Sequence, residues 1–105
     1  MNTAVVVANA TLRDLEFEIL DGDIPLPLTG CTVAGRFLNV LGGAVTERAA
    51  SVTNALGGIV VVSRNPDLFP VEAEVDVQFV ITYPNARTLR VPEDGCYRFT
   101  VRRAL

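Results

Sequence analysis

Several groups of residues are of types that could do chemistry. Asp21 and Asp23 flank Gly22, as at the opening of a calcium-binding loop. Such a loop needs further oxygen ligands at fixed steps and a closing Glu. The following Ile24-Pro25-Leu26-Pro27-Leu28 supplies none, so a turn between strands is the favoured reading. Glu72, Glu74 and Asp76 alternate along one stretch. An acid/base pair of carboxylates needs its two pKa values driven apart by burial. These three sit on the polar parity of a strand and read as a solvated face, with Arg98 or Arg102 as cross-strand partners. Ser51, Ser63 and the threonines have no His to activate them, because the chain contains none. Cys31 and Cys96 lack the same base. Gly42-Gly43 and Gly57-Gly58 are followed by neither a Lys nor a helix signal, so a phosphate cradle is unsupported. No residue is assigned a catalytic, cofactor-binding or metal-binding role, no cofactor is expected, and the chain reads as non-enzymatic.

The strongest structural signal is Val71 to Tyr83, VEAEVDVQFVITY. Val71, Ala73, Val75, Val77, Phe79, Ile81 and Tyr83 share one parity; Glu72, Glu74, Asp76, Gln78 and Thr82 share the other, with Val80 as an apolar intruder. That period of two predicts a strand with one buried and one wet face. Its length, beyond the usual three to ten residues, predicts a bend or a frayed end. Thr11 to Leu20 alternates likewise, with Leu15, Phe17 and Ile19 inward. Cys31 to Val40 is a further strand, in which Val33 and Phe37 face the core and Gly35 marks a bulge or a close approach. Val45 to Ala50 is weakly patterned, Ser51 to Asn54 reads as a short strand, and Ile59 to Ser63 is a continuous apolar run. Arg64 to Pro70 reads as a loop with one helical turn. Pro84-Asn85-Ala86 predicts a hairpin turn into Arg87 to Val91, and Pro92 to Gly95 a second turn before Cys96 to Arg103. Thr3 to Ala8 is β-prone, either an edge strand or an arm pairing with a neighbour. Residues 1–10 are therefore set apart from a domain over 11–105. Strands at regular spacing with turns of Gly, Pro, Asn and Asp predict an antiparallel sandwich or barrel.

Composition narrows the function classes. The 105 residues suit a single domain, and half of them are apolar. All 9 basic residues are Arg, against 12 acidic ones, for a net charge of −3. A nucleic-acid surface would show a basic stripe, so no nucleic acid is expected as a partner. No apolar run approaches the roughly 18 residues of a membrane-spanning helix, and no membrane partner is expected. MNTAVVVANATL has no basic region ahead of its short apolar run, so it is not read as a secretory signal. Synthesis and assembly in a cytoplasm follow as an expectation. An inter-sheet bridge between Cys31 and Cys96 is conceivable by separation, but the core Trp that accompanies such bridges is missing. Two small core residues are favoured instead.

The ordered segments LEFEILDGDIPLPLTGCTVAGRF, VTNALGGIVVV and NPDLFPVEAEVDVQFVITYPNARTLRVPEDGCYRFTVRR together resemble the N-terminal domain family of phage baseplate upper proteins. The matching features are the strand before Asp21-Gly22-Asp23 and Leu28-Thr29-Gly30 leading into a strand. After them come the Gly turn into Ile59–Val62, the Tyr83–Arg90 hairpin, the Pro92–Gly95 turn and a last strand centred on Phe99-Thr100-Val101. The resemblance spans about residues 12 to 103. It departs at Leu41-Gly42-Gly43-Ala44, where the family often has a charged hairpin. The family domain commonly heads a longer protein whereas this chain stops at Leu105, which leaves room for a small accessory subunit.

What the resemblance implies is an all-β, Ig-like antiparallel β-sandwich of about seven strands, located in a tailed-phage virion. Its partners would be other virion proteins (tail, baseplate or capsid subunits) and, as one option, further copies of itself. A tail, baseplate or fibre-attachment component is the first expectation, and a capsid decoration or cement protein the alternative. A carbohydrate- or receptor-binding module on the same fold is the rival, with Phe69 as its exposed aromatic. The residues expected at contacts are Val5, Val6, Val7, Val60, Val62, Phe69 and Val80, as an apolar patch or an unpaired edge. Coverage of these valines by a second sheet is the competing reading.

Overall fold

The computed structural model describes residues 3–10, 14–40, 43, 45–63, 73–92 and 95–101. Alternation in the sequence becomes nine strands: β1 Thr3–Ala10, β2 Asp14–Asp21, β3 Ile24–Pro25, β4 Thr32–Asn39, β5 Val45–Asn54, β6 Ile59–Ser63, β7 Ala73–Thr82, β8 Thr88–Val91 and β9 Tyr97–Val101. They pair antiparallel in the order β1-β2-β6-β5-β4-β7-β8, with β3 on β2 and β9 on β7. The first sheet is β1, β2, β6 and the end of β5; the second is the start of β5, β4, β7 and the pair β8 and β9. This is the A-B-E-D and C-F-G arrangement of an Ig-like sandwich. β5 belongs to both sheets, pairing with β4 through Val45–Ala50 and with β6 from Ser51 onward. On the opposite side β1 approaches β8 and β9, so the two sheets nearly close into a barrel.

The core lies between the inner faces. Leu15, Phe17 and Ile19 of β2, Val60 and Val62 of β6, Val33 and Phe37 of β4, and Val75, Val77, Phe79 and Ile81 of β7 are all buried. Phe17 and Phe79 meet edge-to-face across the sheets with ring centroids 5.0 Å apart, and Phe37 lies 6.2 Å from each. In antibody domains the same three strands carry the inter-sheet disulfide and the core Trp. Here aromatic contact pins the sheets instead, at about 0.5–1.5 kcal/mol per ring pair beyond burial. Gly35 leaves room for this cluster. A Cβ built there would stand 2.8 Å from a Phe37 ring carbon and 3.0 Å from one of Phe79. The close approach expected at Gly35 is therefore to rings, and its pairing with Arg48 and Phe79 is in regular register, without a bulge.

Two local expectations need adjustment, over residues 45–54 and at Cys96. Val45 to Asn54 is one ten-residue strand, where the sequence suggested a weakly patterned stretch and a short strand. The β7 strand covers Ala73–Thr82; Val71 and Glu72 lie outside the described residues, as does the whole of the RNPDLFP segment. β9 pairs with β7 rather than with β8. Both strands run antiparallel to β7 along one edge, β8 beside Phe79–Thr82 and β9 beside Ala73–Val77. The break opposite Gln78 is bridged by its side chain, whose Nε2 donates to the carbonyls of Pro92 and Gly95 at 3.3 Å each. Finally, both cysteines are free thiols; Cys31 is half-buried against the core, but Cys96 is exposed. Cys96 precedes Tyr97, whose side is the inward one, so strand parity turns it outward.

Candidate interaction surfaces

Strand register places a mixed apolar and acidic patch on the outer face of the first sheet. Val6, Glu18 and Ile59 lie in one cross-strand row, and Glu16, Val61 and Ser51 in the next. Leu20 and Ala4 form a third pair. Val6 is 37 % exposed; Ala4, Leu20, Ile59, Val61, Glu16 and Glu18 are half-buried. Among the described residues no cation pairs with Glu16 or Glu18.

This face corrects the expected contact residues. Val5, Val60 and Val62 are core side chains, at 2 %, 0 % and 0 % exposure. Val60 pairs with Phe17 and Val62 with Leu15, both inward residues, so the register turns these valines inward too. Val7 is half-buried against the core. Val6 is on the outer face of the first sheet and Val80 half-buried on the outer face of the second. Phe69 lies outside the described residues. Ile59 and Val61 were missed. The uniform IVVVS run hides its parity, but laying it antiparallel to LEFEIL would have revealed it.

The outer face of the second sheet carries Ala49, Ala34, Val80 and Arg90 in one row. Below it run Glu47, Arg36 and Gln78, then Val45, Leu38, Asp76 and Arg98. Arg98 grips Asp76 with two bonds, Nε to Oδ1 at 2.8 Å and an Nη to Oδ2 at 3.1 Å. The cross-strand pair expected from the alternating carboxylates thus involves Arg98. Its hydrogen bonds hold the Asp76 carboxyl below the usual carboxylate range, against a smaller opposing push from burial. Arg36 and Glu47 are 3.8 Å apart with both side chains more than half exposed, a geometry of little energetic worth. No ion pair among the described residues involves Arg90, which is exposed beside half-buried Val80.

A third feature is the β7–β8 hairpin. Tyr83 and Arg87 bracket it, with the Tyr83 amide donating to the Arg87 carbonyl and the Ala86 amide to the Tyr83 carbonyl. Pro84 fixes φ in the turn, the Asn85 side chain accepts from the Arg87 amide, and Ala86 takes a φ of 70°. Around it Tyr83, Pro84, Asn85, Arg87, Thr88 and Leu89 line a shallow, open depression of about 490 Å³. Burial, with nearby Cys31 and Asp21, pushes the Tyr83 hydroxyl up. Burial likewise raises the Cys31 thiol, which keeps it protonated at neutral pH and makes it a poor nucleophile.

Exposed large aliphatics also occur at Ile24, Val45 and Leu56, at 65 %, 59 % and 77 %. Ile24 follows the Gly22-Asp23 turn and Leu56 sits in the Ala55–Gly58 turn, both polar or small contexts in which a large aliphatic stands out in the sequence. Gly58 permits that second turn: its φ is +66°, and a Cβ would lie 2.5 Å from the Ile19 carbonyl oxygen. Among the described residues no group of three or more His, Cys, Asp or Glu is placed to hold a metal ion. Comparison with models of known protein families, with curated proteins and with solved structures finds no match to this chain.

Proposed function

We propose that the chain is a structural, non-enzymatic subunit of a tailed-phage virion that docks through protein–protein contacts as a tail, baseplate or fibre-attachment component. The observation that carries the docking is the outer face of the first sheet. There Val6, Leu20, Ile59 and Val61 stay partly exposed in adjacent rows although Val5, Phe17, Ile19, Val60 and Val62 on the inward side of the same strands are buried. Apolar side chains left partly exposed on both sides of Glu16 and Glu18 offer a surface of mixed character to a protein contact. The virion setting rests on the resemblance of the strand and turn motifs over residues 12 to 103. Gradient-purified tailed particles from the producing culture, analysed by quantitative mass spectrometry, provide the test. The chain is expected at a fixed copy number per particle; recovery only in the soluble fraction would overturn the proposal.

The β7–β8 hairpin favours a second reading, a carbohydrate-binding module. Tyr83 lines an open depression beside Asn85, Arg87 and Thr88, an aromatic next to polar groups as sugar sites require. A glycan-array signal lost on Tyr83→Ala would support it, and a blank array would remove it.

A further inference from the structure

The side chains around the β7–β8 hairpin offer more hydrogen-bond donors than acceptors. Asn85 Oδ1 already accepts from the Arg87 amide at 3.1 Å, which leaves the side-chain NH2 as the open group. The Tyr83 and Arg87 carbonyls already accept from the Ala86 and Tyr83 amides. Arg87 carries five N–H donors and no acceptor, is exposed, and has no ion-pair partner among the described residues. Thr88 adds a hydroxyl that serves either way. No Asp or Glu is among the described residues that line the depression. Asp21, whose charge reaches the Tyr83 hydroxyl, is not in that lining. Pro84 to Val91 holds two arginines, Arg87 and Arg90, and no acid, within a chain of net charge −3. We infer that the depression takes an acidic saccharide, its carboxylate or sulfate on Arg87 and its ring against Tyr83. The inference rests on the carbohydrate reading of the hairpin and adds the charge of the ligand.

Tyr83, Pro84 and Leu89 supply the apolar part of the lining. A pyranose has an apolar C–H face and a rim of hydroxyls, so it uses Tyr83 and the Asn85 amide as well as Arg87. A simple carboxylate uses Arg87 alone. The depression, at about 490 Å³, falls within the roughly 300–1,000 Å³ of small-molecule sites. It is open, however, so a single sugar is held weakly. The turn that carries the donors is braced: a Cβ at Gly30 would stand 3.0 Å from the Pro84 ring, so the hairpin lies against the Thr29–Gly30 turn. Donors fixed in this way lose little freedom when a ligand binds.

The test is an array probed with the biotinylated full chain displayed on streptavidin, which raises the avidity of a weak site. The array carries uronate, sialylated and sulfated oligosaccharides, each beside its neutral counterpart, and a tetraglutamate peptide. The wild type is expected to bind at least one acidic glycan about tenfold better than its neutral counterpart, the worth of one charge-assisted hydrogen bond. Arg87→Gln should remove that preference and leave the neutral signal as it was. The hairpin bonds use the Arg87 backbone, so the turn is retained, as a wild-type circular dichroism spectrum would check. Arg87→Lys, which keeps the charge, should keep part of the preference. Arg36→Gln, the same charge change on the outer face of the second sheet, should keep all of it. Equal signals from acidic and neutral glycans, or a preference that survives Arg87→Gln, would overturn this inference and leave the carbohydrate reading standing. Tetraglutamate bound as strongly as the best acidic glycan would overturn the assignment to a saccharide. A blank array would remove the carbohydrate reading and this inference together.

Discussion

β7 and β5 are both ten-residue strands with more than one partner strand, yet their inner faces differ. β7 buries Val75, Val77, Phe79 and Ile81 completely. β5 turns Thr46, Arg48, Ala50 and Val52 inward, and none is fully buried. The difference follows from their places. β7 runs through the middle of one sheet, opposite β2, whereas β5 passes from one sheet to the other at the corner, where the inner faces diverge. A strand at such a corner needs small or amphipathic inward residues, because little apolar volume is left to fill. Arg48 suits it: the residue is half-buried and its guanidinium reaches the Ser63 carbonyl at 3.4 Å.

The sharpest way to break this comparison is to truncate an inward residue on each strand. Phe79→Ala should cost about 3–5 kcal/mol in chemical denaturation, because it removes the ring that touches both Phe17 and Phe37. A cost below about 1 kcal/mol would mean the aromatic cluster does not pin the sheets. Gly35→Ala, on β4 beside β7, should cost about 1–3 kcal/mol, since two rings must move to admit the methyl group. A neutral result there would show that the rings repack freely. Val52→Ala on β5 should cost about 1 kcal/mol or less, because Val52 is only half-buried. A loss equal to that of Phe79→Ala would place β5 in the core proper.

The smallest effect is electrostatic and belongs to the outer face of β7. Arg98 lowers the Asp76 pKa in the folded chain relative to the unfolded one. The stabilisation is therefore present above the ordinary carboxylate range and is lost as pH falls through the depressed value. Asp76→Asn should be slightly less stable than wild type at pH 7, and the difference should shrink toward pH 2. A gap of constant size from pH 7 to pH 2 would contradict the assignment.

These strands also show what can be read from residues alone. Val71 to Tyr83 announces β7 because burial on one side and solvent on the other impose a period of two. Thr11 to Leu20 announces β2 for the same reason. The β5 strand is illegible as a unit because its inward side carries Thr, Arg, Ala and Val, which leave no apolar alternation. The IVVVS run of β6 shows strand character but not orientation, since all its aliphatic side chains look alike. Orientation is set by pairing with Phe17 and Leu15, which is non-local information. The candidate faces were missed for that reason: Val60 and Val62 were expected at contacts, and their neighbours Ile59 and Val61 are the ones left partly outside.

The central claim is that inner faces hold the domain together while the outer face of the first sheet meets a partner. Hydroxyl-radical footprinting of the free chain and of the chain within purified particles tests it most directly. Val6, Ile59 and Val61 should label in the free chain and lose most of that label in the particle, while Val60 and Val62 stay unlabelled in both. Equal labelling of Val6, Ile59 and Val61 in the two states would contradict the account.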